Sequence, residues 1–133
     1  MKKLKQLNAL GIVVAAREAY EEGTLQAQNI PVGASWSCLY VSTTEAGKTV
    51  CCAVGAALDP DQVAYVIDNG LNDEGLYALR DITQGMTQDD LNVINALQAA
   101  HDMWVDRVIR DRPPEDCFLW ALRKAEEHVG VPS

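Results

Sequence analysis

Small and apolar residues recur with helical spacing over residues 3–22 of the chain. On a helix, Leu4, Leu7, Gly11, Ala15 and Ala19 would form one stripe along the surface, and Ile12 would lie beside it. Gly23 follows the last of them, and a glycine directly after the final periodic residue is typical of a helix end. The pattern therefore predicts a first helix over residues 3–22 that buries this stripe and ends at Gly23.

Two short segments after this helix have the alternating, β-branched and aromatic character of strands. The first covers residues 35–42 and the second covers residues 48–52. The tripeptide Glu45-Ala46-Gly47 between them is suited to the loop of a β-hairpin. Because an isolated hairpin is barely stable in water, we expect this one to pack against helices.

Helical patterning resumes after the hairpin. Residues 53–58 are small, and Gly55 among them would allow another element to approach closely. Asp59 is followed by a proline and then, three positions after Asp59, by a glutamine, which is the composition of a capping box. This signal predicts a helix that ends at Asn69-Gly70, and its expected core-facing residues are Val63, Val66 and Ile67.

Three further helices are predicted from similar end signals. A short one starts at Asn72 and ends at Thr83-Gln84-Gly85, a long one runs from Thr87 to about Arg110, and the last runs from Pro113-Pro114 to Gly130. The aromatic residues expected in the core are Trp36, Trp104 and Trp120. The predicted fold class is therefore mainly α (α+β), a helical cluster of about five helices with one short β-hairpin, in a single domain over residues 1–133.

The composition is that of a folded protein. Of the 133 residues, 48% are hydrophobic and 23% are charged, which is enough apolar material for one core. No apolar run approaches the roughly 20 residues that a membrane helix needs. The basic start at residues 1–5 is followed by polar and acidic residues, unlike an export signal, so we expect a soluble protein that is cytoplasmic and does not bind a membrane.

Charge is distributed unevenly along the chain. The net charge is −8, and residues 59–90, which we name the acidic segment, contain eight carboxylates opposed only by Arg80. This sign excludes direct binding of nucleic acid and favours a protein partner with a basic surface. The residues expected to contact the partner are Asp61, Asp68, Asp73, Glu74, Asp81, Asp89 and Asp90. The alternative is a solvated acidic face that only aids solubility.

This charge pattern favours a small acidic protein that acts by binding a macromolecular partner. Inhibitors of host systems that are encoded by phages or mobile elements often work in this way, and self-association as a homo-oligomer is a further hypothesis. Residues 76–91 have a spacing similar to the opening of a helix-turn-helix. However, the first turn of the would-be recognition helix carries Asp89 and Asp90, which would repel DNA.

His101 lies near the centre of the apolar stripe of the long predicted helix, so it should face the core or a pocket. In the structural interpretation it is a hydrogen-bonded core histidine. In the catalytic interpretation it is the base for Cys52, whose thiol at a strand-to-helix junction would have a lowered pKa. Gln98 or Asn95 would orient His101 at least as readily as Asp102. This alternative function is a cysteine-dependent hydrolase or transferase acting on a small amide, ester or thioester.

The four cysteines fit neither a disulfide scaffold nor a zinc knuckle, so small buried thiols are expected at Cys38, Cys51, Cys52 and Cys117. A metal site combining Cys51, Cys52, His101 and Asp102 is disfavoured, because consecutive strand residues point to opposite faces. Phosphate-binding loops, nucleophile elbows and zinc-protease motifs are absent from the sequence. We therefore expect neither a metal nor a cofactor.

Two short motifs resemble segments of small uncharacterised bacterial and phage proteins. Residues 52–58, Cys-Ala-Val-Gly-Ala-Ala-Leu, resemble a C-A-x-G-x-L segment that follows a hairpin. Residues 97–102, Leu-Gln-Ala-Ala-His-Asp, resemble the L-Q-x-x-H-D segment of the same group, and the likeness extends over residues 35–131. The resemblance implies that Cys52 and His101 belong to one architecture, and it implies no particular activity. The doubled Cys51-Cys52 departs from the pattern.

Overall fold

The computed structural model describes residues 4–29, 40–43, 47, 49–72, 74–106 and 111–131. The α-helices are α1 (Ala9–Glu22), α2 (Pro60–Asp68), α3 (Gln88–Val105) and α4 (Pro114–Val129). Short 3₁₀-helices are η1 (Gln26–Asn29), η2 (Gly55–Ala57) and η3 (Leu76–Ile82), and the strands are β1 (Val41–Thr43) and β2 (Thr49–Cys51). The fold is mainly helical with one two-stranded antiparallel hairpin, which confirms the predicted class.

Helix α1 begins at Ala9, later than its periodicity predicts. The Asn8 side chain accepts the Gly11 N–H and caps the helix. The preceding segment is not helical because η3 holds it in another conformation: the Leu7 N–H donates to the Ile82 carbonyl at 2.7 Å. The buried face of α1 also differs from the predicted stripe, and it consists of Ala9, Ile12, Val13, Ala16 and Ala19.

Helices α1 and α4 each end at a glycine, as the sequence predicts. Gly23 has φ +73° and Gly130 has φ +83°, both in the left-handed region that favours glycine. The Thr24 N–H reaches the Ala19 carbonyl at 2.9 Å, and the Val131 N–H reaches the Glu126 carbonyl at 2.9 Å. These bonds satisfy carbonyls that the helix end would otherwise leave without donors.

The hairpin is confirmed at residues 41–43 and 49–51, where Val41 lies opposite Cys51 and Ser42 opposite Val50. The remaining predicted strand residues at 35–39 and Glu45-Ala46 of the predicted loop lie outside the described residues. Asn72 lies beside the hairpin: its Oδ1 accepts the Val41 N–H at 3.0 Å, and its Nδ2 donates to the Val41 carbonyl at 2.9 Å. The short helix predicted from Asn72 therefore begins only at Leu76, after Gly75.

Local sequence signals place the starts of the other helices correctly. Asp59 and Gln62 form a capping box at α2, and Thr87 and Asp90 form one at α3. A proline occupies the first turn of α4, as predicted. Helix α3 ends at Val105, and its predicted extension over residues 107–110 lies outside the described residues.

The core lies between α1, α3 and α4, where aromatic rings meet. The ring centroids of Trp104 and Phe118 are 5.4 Å apart, and each lies 6.2 Å from the ring of Tyr20. Arg17 of α1 donates two hydrogen bonds to the Glu126 carboxylate of α4, at 2.7 and 3.0 Å. Trp120, expected in the core, is 56% exposed, so that expectation is wrong.

Candidate functional site

The carboxylates of the acidic segment are spread over α2, η3, the connection between them and the first turn of α3. Of those predicted to contact a partner, Asp90 is half-buried, and the exposed ones are Asp61, Asp68, Glu74, Asp81 and Asp89. Asp73 lies outside the described residues. The segment therefore presents charge to solvent from several successive elements.

Some of these carboxylates have structural partners. Asp59 caps α2 by accepting the Gln62 N–H at 2.8 Å. Asp81 accepts the Tyr65 hydroxyl at 2.9 Å, which joins α2 to η3 and raises the pKa of that phenol. Both residues make contacts within the segment, so they are poor choices for a test of binding alone.

Asp90 also has a structural role. Its carboxylate accepts the Thr87 N–H in the capping box and lies 2.8 Å from the His128 ring at the far end of α4. The His128 hydrogen bond, followed by the Thr87 backbone, holds the pKa of Asp90 below its ordinary value. His128 is exposed in the last turn of α4, and its contact with Asp90 joins the start of α3 to the end of α4.

Asp68, Glu74 and Asp89 are the carboxylates best placed to act on another molecule. In the part of the chain that the structure describes, no lysine or arginine forms an ion pair with any of them. Among the described residues, the ion pairs of arginine and lysine lie elsewhere. One joins α1 to α4 through Glu126, and the others lie along α4 at Glu127. The charge of these three residues is therefore directed to solvent.

Two large apolar side chains are exposed within the same segment. Tyr77 is 77% exposed and Ile67 is 54% exposed. Ile67 was expected in the core, but α2 buries Val66 and Gln62 instead, and Ile67 lies about 100° around the helix from Val66. Sequence reasoning missed Tyr77 because a short 3₁₀-helix gives no reliable buried face. The acidic segment thus combines exposed carboxylates with exposed apolar surface.

Cys52 lies at the junction of β2 and η2, as predicted. Its side chain is fully buried, and its sulfur accepts the Gly55 N–H at 3.2 Å. The thiol borders a cavity of about 100 Å³, whose other lining residues include Tyr40, Asn72, Glu74, Gln98 and Asp102. The site is polar, and the residues that form it come from the hairpin, from Asn72, Glu74 and Gly75, and from α3.

His101 has a different environment. It is fully buried, its Nε2 accepts the Ala27 N–H of η1 at 3.3 Å, and its ring meets Phe118 edge-on at 6.0 Å. Burial lowers the pKa of His101 to about 4, so the ring is neutral at pH 7. Between the two described side chains there is no hydrogen bond from Cys52 to His101, and His101 does not line the Cys52 cavity.

Gln98 and Asp102 are the predicted residues that the fold brings to Cys52. The Gln98 side chain accepts the Val54 N–H at 3.2 Å and donates to Asp102 Oδ1 at 3.1 Å. Asn95, the other residue considered for orienting His101, is exposed. The structure therefore places an amide and a carboxylate, and not the imidazole, around the thiol.

The positions of the other cysteines bear on the metal-site hypothesis. Cys51 is half-buried with its sulfur 3.8 Å from the Thr24 carbonyl, and burial, followed by the neighbouring Cys52, raises its pKa to about 12. Cys117 is half-buried on α4, and Cys38 lies outside the described residues. Within the described ranges, no cluster of three histidine, cysteine or acidic side chains has metal-binding geometry.

The chain was compared with models of known protein families, with curated proteins and with solved structures, and no match was found. The resemblance of residues 52–58 and 97–102 to bacterial and phage proteins therefore stays a prediction. Among the described helices, none combines the length and apolar character needed to cross a bilayer.

Proposed function

We propose that this protein acts by binding a partner protein with a basic surface, and that the acidic segment, residues 59–90, is its contact region. The observation that carries the proposal is the exposure of Asp68, Glu74 and Asp89 without a described lysine or arginine partner. Inhibition of a host system by a phage or mobile-element protein is one role that such binding would serve.

The exposed apolar residues would supply binding affinity, to which charge alone contributes little. Complementary charge mainly speeds association and selects the partner, whereas affinity usually depends on a few large side chains that become buried. Tyr77 is suited to this second role because tyrosine brings a large contact area with few rotatable bonds. We therefore assign Tyr77 as the apolar anchor, with Glu74 next to it: the Tyr77 hydroxyl lies 3.5 Å from the Glu74 carboxylate.

The proposal is tested by reversing charge at Asp68, Glu74 and Asp89 together, each to lysine. The bait is the folded protein immobilised on beads, and bound proteins are identified by mass spectrometry after elution with salt. We expect the wild type to capture a basic protein that the triple variant loses. Salt should release this protein, because screening weakens attraction between exposed charges.

The matched control reverses three exposed carboxylates outside the acidic segment, at Asp106, Asp111 and Asp116. The two triple variants have the same net charge, so a nonspecific charge effect would weaken capture equally in both. Retention of the basic protein by the control, with loss in the test variant and in Tyr77→Ala, supports the proposal. Equal capture by all variants would rule out this contact region.

A second function has its own supporting observation, the cavity of about 100 Å³ beside the Cys52 sulfur. In this candidate, Cys52 is the nucleophile of a hydrolase or transferase acting on a small amide, ester or thioester. The contacts of His101 argue against its assigned role as base, because its Nε2 already accepts the Ala27 N–H. The thiol therefore lacks the imidazole that this function requires to take its proton. The first proposal is therefore the stronger one.

A further inference from the structure

A groove of about 270 Å³ lies between α1, η2 and the start of α2, and we name it the α1 groove. Two of the residues that line it, Leu7 and Ile12, are buried apolar side chains of the core. Its other apolar lining residues are small, namely Gly11 and Ala15 of α1 and Ala56 and Ala57 of η2. Because these side chains are short, the groove has room for larger apolar side chains from another molecule.

Hydrogen bonds to the acidic segment fix one side of the α1 groove. Residues 5–8 line that side. Gln62 Nε2 donates to the Lys5 carbonyl at 2.6 Å, and Gln6 Nε2 donates to the Asp81 carbonyl at 2.8 Å. A molecule that binds here therefore does not have to order the groove, which favours affinity.

Two exposed glutamates continue the line of the groove along α1. At 100° per residue, Glu18 and Glu22 fall within the same 60° arc as Gly11 and Ala15. Asp59 adds a third carboxylate on the α2 side of the groove. In the part of the chain that the structure describes, no lysine or arginine forms an ion pair with any of these three carboxylates. The groove is therefore apolar inside and acidic around its edge.

We propose that the α1 groove binds a basic amphipathic helix of the partner protein. This inference rests on the proposed function, because it takes the partner to be the same basic protein. An amphipathic helix docks in a groove through apolar side chains three or four residues apart. Gly11 and Ala15 are also four residues apart, a distance of about 6 Å along α1, which matches one turn of the incoming helix.

Charge identifies the incoming helix as basic. Lysine or arginine beside its apolar face would meet Glu18, Glu22 and Asp59, and complementary charge of this kind selects a partner. Lys5 also lines the groove and has the opposite sign, but the three carboxylates outweigh it. Val14, 38% exposed, lies about 60° around α1 from Gly11 and extends the apolar surface that the helix would cover.

The groove is continuous with the contact region already proposed. Asp59 and Gln62 belong to the acidic segment and also line the α1 groove. A partner that places a helix in the groove can therefore reach the acidic segment at the same time. The groove would supply apolar contact at one end of a surface whose remaining charge attracts the same basic protein.

The first test uses a labelled synthetic peptide of leucine and lysine, about 14 residues or four helical turns long, with its leucines on one face. A peptide of the same composition with scrambled order is the control. Fluorescence anisotropy should show the amphipathic peptide binding about tenfold more tightly. Ala15→Leu should raise its dissociation constant by about tenfold, because leucine fills the groove. Ala99→Leu, at an exposed alanine of α3, should leave it unchanged.

The second test changes charge beside the groove. Glu18→Lys combined with Glu22→Lys should weaken peptide binding more than Asp111→Lys combined with Asp116→Lys, although both double variants have the same net charge. Lysine is favoured near the carboxyl end of a helix, so the first double variant should fold. Circular dichroism checks the fold of every variant.

The outcomes separate this inference from the proposed function. Equal binding of the two peptides, or equal affinity of the Ala15→Leu and Ala99→Leu proteins, would overturn the groove inference and leave capture by the acidic segment unaffected. A homodimer that Ala15→Leu dissociates, seen by sedimentation equilibrium, would place a second copy in the groove and overturn it as well. Peptide binding in the groove without capture of a basic protein on the beads would count against the proposed function instead.

Discussion

At the scale of single residues, His101 couples folding to pH. Its pKa is about 4 in the folded protein and about 6.5 for the free side chain, so between these values the unfolded chain binds a proton that the folded chain excludes. The free energy of unfolding should therefore rise with pH from 4 to 6.5, by at most about 1.4 kcal/mol per pH unit, and then level off. Urea unfolding at pH 5 and pH 7 measures this difference.

The matched variant is His101→Gln, whose amide oxygen can accept the Ala27 N–H but does not titrate. Its stability should change less between pH 5 and pH 7 than that of the wild type. Titration of Asp90 does not contribute between pH 5 and pH 7. Its pKa is lowered from 3.8, so the stability that it gives to the fold is lost only at more acidic pH. An identical pH dependence in the variant would show that His101 is not the group responsible.

The thiols give a second prediction at this scale. Cys52 is fully buried and Cys51 has a pKa raised to about 12, so both should react slowly with iodoacetamide at pH 8. Cys117 is only half-buried and should react faster than either. Peptide mass spectrometry after timed labelling distinguishes them, and labelling in urea provides the control in which all react. Fast labelling of Cys52 in the folded protein would instead favour the enzyme hypothesis.

The sequence predicted individual residues well where periodicity was long and poorly where it was short. The 18 residues of α3 gave a clear stripe, and His101 is buried as that stripe indicates. Helix α2 is only nine residues long, and its sequence did not show which of Val66 and Ile67 faces the core. Two or three apolar positions are too few to define the buried side of a helix. Partners across the fold, such as Ala27 for His101, leave no local trace in the sequence.

At the scale of elements, Gly55 controls how η2 packs under the hairpin. A Cβ at this position would lie 1.8 Å from the Tyr40 carbonyl oxygen, which is backbone and cannot rotate away. Gly55→Ala should therefore lower the free energy of unfolding by about 3 kcal/mol or more through overpacking. Gly85→Ala is the control, because nothing lies within 4 Å of its Cβ and its φ is not positive.

Chemical denaturation of the two glycine variants gives the comparison directly. Equal stability of Gly55→Ala and Gly85→Ala would mean that the hairpin moves away from η2 at little cost. The sequence indicated close approach at Gly55 but not which element approaches, since the contact joins residues distant in the chain. The late start of α1 has the same origin: Leu7 bonds to Ile82, and a contact over that distance overrides helical periodicity.

At the scale of the whole molecule, the net charge and the position of each carboxylate on its helix affect the free energy of unfolding separately. A net charge of −8 destabilises the compact state by self-repulsion, and each replacement of an aspartate by lysine makes the net charge less negative by two units. Asp61 and Asp68 lie at opposite ends of α2, in its first turn and at its last residue. The helix dipole favours a carboxylate at the first position and opposes one at the second.

Asp68→Lys and Asp61→Lys therefore separate the two effects. Both change the net charge by the same two units, but we expect Asp68→Lys to be the more stable by about 1 kcal/mol at low salt, since the dipole contributes with opposite sign at the two ends. The difference should shrink as salt is added. Urea unfolding measures it, and equal stabilities would contradict it. If Asp68→Lys is also more stable than the wild type yet captures less partner, then this carboxylate is kept against the preference of its own helix, as expected for a residue used in binding.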